Sequence, residues 1–160
     1  MEYTEHEKFM RLALEDAKAA GAAGDVPVGC VIVCNDEVIA RAGNTRQRSQ
    51  DATAHCELLA IRAACAVQGT YRLEDCVLYV TLEPCPMCAG AAVNARLKGI
   101  VYGASDQKAG YCGSLHNTPQ DARLNHRMPV TGGVLQEECA ALLSAFFQKR
   151  RKEKANAKAK

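Results

Sequence analysis

Three short apolar runs, 28–34 (VGCVIVC), 76–82 (CVLYVTL) and 99–103 (GIVYG), alternate along the chain with stretches whose apolar residues recur at helical spacing. A run that is apolar at nearly every position must be covered on both faces, and helices between such runs supply the cover. The alternation therefore implies an α/β layered fold around a mixed sheet. Its antiparallel part comes from a hairpin in which 28–34 turns at Asn35-Asp36 and returns over 37–41.

The helical pattern opens at 4–20, where Phe9, Leu12, Ala13, Ala17 and Ala20 share a face and Gly21 offers a stop. A polar loop, 43–53, leads to a helix over about 54–67, with Thr53 as its expected N-cap. A third helix, rich in small residues, spans 86–96. Residues 105–128 read as loop, followed by a short strand near 129–131. A last helix over about 134–151 places Leu135, Cys139, Leu142, Leu143 and Phe146 on one face.

At 160 residues the chain suits one domain, read as 1–151 with a basic tail at 152–160. The segment 149–160 carries seven basic residues and one acid, so the other 148 residues sum to a charge of −4 within a total of +2. Such an end suits a polyanionic partner, or else is a solvated helix terminus. No stretch approaches the ~18 continuous apolar residues of a membrane span. The N-terminus MEYTEHEKFM is too charged for a signal peptide, so a cytoplasmic location is expected. The nine cysteines are then read as reduced thiols. Cys30, Cys34, Cys65, Cys76 and Cys139 lie among apolar residues, where a thiol packs as a small hydrophobe.

Pro84-Cys85-Pro86-Met87-Cys88 is different. Its two cysteines open a helix three residues apart and project from the same side of the first turn. The positive end of the helix favours their thiolate forms, and soft thiolates favour zinc over magnesium or calcium. A redox couple or half of a four-cysteine structural site uses the same spacing. A second close pair is lacking, however, because Cys30 and Cys34 fall within one strand. Thr53-Ala54-His55-Cys56-Glu57 supplies the complement at another helix start. His55, Cys85 and Cys88 make three ligands and leave the fourth tetrahedral position to water, the pattern of a catalytic zinc site. Glu57 lies about 200° from His55 around a helix, which makes it a reactant and not a ligand. A zinc-activated water, whose pKa falls to ~7, with a carboxylate beside it suits hydrolysis. Cys56 adjoins His55 directly and is expected to point elsewhere.

H-x-E followed by P-C-x-x-C resembles the signature of the zinc nucleobase deaminases. Beyond it, VPVGCVIV at 26–33, Asn44, DATAHCE at 51–57, LYVTLEPCPMCAGA at 78–91, VYGASDQKAG at 101–110, LNHR at 124–127 and ECAALLSAFF at 138–147 resemble the bacterial tRNA-specific adenosine deaminases. The resemblance implies a three-layer α/β/α cytidine-deaminase-like fold with a central mixed sheet, a homodimer, and one zinc ion per subunit. It implies conversion of adenosine to inosine at the wobble position of a tRNA anticodon arm, with Glu57 as the proton shuttle. It also assigns Asn44 to the target nucleoside and Asp106 to the RNA backbone; an ordinary turn asparagine and a helix cap are the alternatives. Cys56 stands where that family commonly has alanine, and the segments 45–50 and 116–123 depart from its pattern. Deamination of a free base or nucleoside would need the same zinc centre but no basic surface. A zinc-stabilised RNA-binding protein without activity would need no Glu57.

Overall fold

The computed structural model describes residues 3–159. Five strands form one sheet in the order β2-β1-β3-β4-β5. β1 (Gly29–Cys34) pairs antiparallel with both β2 (Glu37–Gly43) and β3 (Cys76–Leu82), while β4 (Gly99–Ala104) lies parallel to β3 and to the short β5 (Val130–Thr131). The sheet is mixed, as the alternation implied. Asn35 and Asp36 both adopt positive φ, 50° and 66°, giving a two-residue turn whose twist matches its strands.

Side chains of successive strand residues point to opposite faces, and the core divides accordingly. Cys30, Ile32, Leu78, Val80 and Ile100 belong to a core that includes residues of α3 (Cys56–Gln68) and α4 (Pro86–Asn94). Val31, Val33, Tyr79 and Val101 belong to another with residues of α1 (Tyr3–Ala22) and α5 (Gln136–Ala159). The result is the expected α/β/α arrangement. α1 lies so close to β1 that a Cβ at Gly29 would collide with the backbone of Ala13 and Ala17.

Several boundaries differ from the sequence reading. α1 runs past Gly21 to Ala22, and the left-handed residue that follows it is Gly24, at φ 94°. α3 begins at Cys56 and not after Thr53. Asp51 Oδ1 accepts both the Thr53 N–H (2.9 Å) and its hydroxyl (2.7 Å), which holds Thr53 in a turn and leaves His55 in the cap position. α2 (Arg46–Ser49) is a single turn inside the expected loop. α5 does not stop at 151, because its last turns hold lysine, arginine, glutamate and alanine with no glycine or proline to end them. The segment 105–128 contains only a 3-10 turn, Thr118–Gln120, and one isolated bridge, Cys112 to Asn117.

Candidate active site

The two helix starts meet at the end of the sheet where β3 delivers its chain into α4. His55 and Cys85 occupy the N-cap positions of α3 and α4, both extended, and Pro86 opens α4 with the φ a first turn needs. Both cap side chains turn toward the site. They are directed at each other: His55 Nδ1 lies 3.5 Å from Cys85 Sγ and 3.6 Å from Cys88 Sγ.

All three ligand atoms lie within 4.8 Å of one another. A tetrahedral zinc with Zn–N and Zn–S bonds of ~2.0 and ~2.3 Å separates its nitrogen and sulfur ligands by about 3.5 Å, so the spacing and donor softness both fit that ion. The electrostatics agree. A hydrogen bond from Cys88, helped by His55, outweighs burial and holds the Cys85 thiol down at about 4. Cys88, as the donor in that bond, is pushed far up, and Cys85 raises the His55 imidazole. The pair shares one proton, which a divalent cation bound there would displace.

Glu57 is 4% exposed on the first turn of α3 and stays outside the ligand cluster. Burial pushes its carboxyl above the usual range, opposed by a hydrogen bond from Cys56, whose Sγ lies 3.1 Å from Glu57 Oε1. Cys56 is fully buried, bonds Glu57 and stays outside the ligand cluster.

Asn44 reaches the site from the end of β2. Its Oδ1 accepts the Cys56 N–H at 2.8 Å and so caps α3 across the gap, while the residue lines the cleft beside His55 and Glu57. Asp106 also borders the cleft, with Oδ1 taking the N–H groups of Lys108 and Ala109 at 3.1 Å each. Both residues thus perform the local capping that their side chains allow, in the place where they face the cavity.

That cavity holds about 860 Å³ and opens above the cluster. Three contributors to it were not legible in the sequence. Asp25, 1% exposed, accepts the Gln47 N–H at 2.6 Å and Arg48 Nε at 3.0 Å, and so fixes α2 at the rim. Leu143, Phe147 and Arg151, four residues apart on α5, line the far wall, so the basic end begins at the cavity itself. Glu83, 2% exposed, lies between Leu82 and the metal-ligand motif. Burial raises its carboxyl, but hydrogen bonds from Ser114, Asp106 and Cys112 outweigh that and hold it below the usual range. A carboxylate at the end of an apolar strand was the only available sign of it.

A profile of the cytidine and deoxycytidylate deaminase zinc-binding region matches residues 3–104. A Bacillus subtilis tRNA-specific adenosine deaminase is 52% identical over 151 residues, 94% of this chain and 94% of its own length. A solved structure from a study of A-to-I editing by tRNA:A34 deaminases at the wobble position of transfer RNA superposes with a TM-score of 0.82 at 43% identity, covering 85% of this chain and 99% of that one. A guanine deaminase from Nitrosomonas europaea superposes with a TM-score of 0.77 at 26% identity, covering 88% and 83%.

Proposed function

The chain belongs to the family of the cytidine and deoxycytidylate deaminase zinc-binding region, and from that premise we propose that it hydrolyses the exocyclic amine of the wobble adenosine in a tRNA anticodon, leaving inosine. The observation that carries this reading is the mouth of the cavity. The cluster and Glu57 lie under a rim that bears Arg46, Lys108 and Arg151, all exposed, on a body that is otherwise mildly acidic. A free base has no phosphate for such a rim, whereas an anticodon loop has several.

His55, Cys85 and Cys88 hold one zinc ion, which supplies the Lewis acidity that makes a water nucleophilic near neutral pH. Glu57 does the proton work. Its carboxylate accepts one proton of the attacking water and delivers it to N1 of the adenine as C6 becomes tetrahedral; it then takes the remaining proton from the C6 hydroxyl and gives it to the amino group, which leaves as ammonia as C6 becomes a carbonyl. Burial suits a group that must act as base and then as acid. With Oδ1 committed to Cys56, Asn44 has its amide nitrogen to donate to the splayed-out base. Asp106 and its turn meet the backbone beside the target, and Arg46, Lys108 and the end of α5 meet the phosphates.

The protein acts in the cytoplasm, where tRNA is found; no described helix is long and apolar enough to cross a membrane. It acts as a homodimer, to which the half-exposed Gly90 and Ala91 of α4 offer a close-packing face. The test is to incubate zinc-loaded protein with an anticodon stem-loop bearing a wobble adenosine, and separately with free adenosine, guanine and cytidine. Inosine from the stem-loop alone, absent with Glu57→Ala, is the expected result. Product from a free base or nucleoside instead overturns the RNA assignment.

A further inference from the structure

Glu83 donates its own N–H to Ala104 O at 2.8 Å and turns its side chain toward a segment that has almost no regular structure. Oε1 accepts the Asp106 N–H at 3.1 Å and the Ser114 hydroxyl, and Oε2 accepts the N–H groups of Cys112 and Ser114 at 3.0 Å each. One carboxylate therefore gathers four donors from a stretch of nine residues. The neighbouring backbone joins in, since Pro84 O accepts the Tyr111 N–H at 2.9 Å. Gly110 shows how tight the arrangement is: a Cβ there would run into the Glu83 carboxylate. The stretch so gathered includes Asp106, Gln107, Lys108 and Ala109, one wall of the cavity.

Glu83 also stands two residues before Cys85 on the same extended chain. We propose that Glu83 is a positioning residue: its carboxylate latches the 106–114 wall to the strand end that delivers Cys85, fixing the RNA-reading rim relative to the reaction centre. The proposal rests on the functional reading above for the word RNA, and on the hydrogen bonds alone for the latch. Glu83 acts on recognition and takes no part in the chemistry.

The experiment compares zinc-loaded wild type with Glu83→Gln, Gly110→Ala and the double variant. Glutamine keeps the size of the side chain but points an amide N–H₂ at N–H donors; alanine at 110 displaces the carboxylate sterically. Each single change should raise KM for the anticodon stem-loop about tenfold, the cost of leaving one buried hydrogen-bonding group unmatched, with kcat changed less than about twofold. Both break one latch, so the double variant should be no worse than the poorer single. Hydrogen exchange at the Asp106, Cys112 and Ser114 amides should quicken while that of Leu78 and Val80 does not, and zinc content should stay at one per chain. Ser114→Ala, which removes a single donor, should move KM the same way by less. A fall in kcat at unchanged KM, or loss of zinc, overturns the proposal by placing Glu83 with the reaction centre. Faster exchange with unchanged KM overturns it by making the latch irrelevant to recognition. If the wild type spares the stem-loop and deaminates a free base, the functional reading fails instead, and KM is then read on that base.

Discussion

Asn44 Oδ1 accepts the backbone N–H of Cys56 at 2.8 Å, so a residue at the end of one strand caps the helix that starts after His55 and carries Glu57 in its first turn. The capping role of Asn44 and its proposed role toward the base separate by substitution. Asn44→Ala should cost about 1 kcal/mol of stability, as loss of a helix cap does, and most of the activity. Asn44→Asp keeps the capping oxygen and discards the amide donor. Its stability should stay within a few tenths of a kcal/mol of wild type while its activity remains poor, measured by thermal unfolding and by inosine yield.

Glu57→Gln should lower kcat by about a thousandfold, the usual worth of a positioned general acid–base, while zinc content stays at one per chain. Metal analysis beside the rate measurement checks this, and loss of the ion would reassign Glu57 as a ligand.

Removing zinc should expose one thiol above the others. The Cys85 thiol is held at about 4, whereas burial pushes Cys112 and Cys139 up to about 12. Below its pKa a thiol is protonated and inert, so at pH 7 Cys85 is essentially all thiolate and the other two only about one part in 10⁵. Iodoacetamide should label Cys85 first in the chelated protein, at a rate flat from pH 6 to 8, and zinc should protect it. Peptide mass mapping reads the order.

Truncation after Arg151 removes four lysines and one glutamate, Lys152, Lys154, Lys158 and Lys160 with Glu153. Stem-loop binding should weaken, and the slope of log K against log salt should shrink by roughly 0.7–0.9 for each phosphate that the tail no longer neutralises. Turnover at saturating RNA should hold. A salt slope equal to that of the full chain would make the last turns of α5 a bystander.

The parts of the site that were legible in the sequence are those whose chemistry is local. Cys85 and Cys88 lie three apart behind a proline, and His55 and Glu57 lie two apart, and each spacing restricts what the pair can do. The layers were legible because strand residues apolar on both faces demand cover from two sides. α3 starts about two residues later than the periodicity suggests because the competition for Thr53 came from Asp51, a side chain whose reach into the turn no periodicity records. Glu83, Asp25 and the α5 wall were missed because their partners lie 22 or more residues away, or on another element, and only folding joins them.

The residues proposed for the reaction centre, from Asn44 to Cys88, occupy one stretch of chain, while the opposite wall of the cavity comes from 105–109 and from α5. Heredity can therefore treat the two separately. Insertions and replacements after residue 104 can change which molecule is admitted without touching the groups that break the bond, so a lineage on this scaffold can shift from one nitrogenous substrate to another by altering its last third.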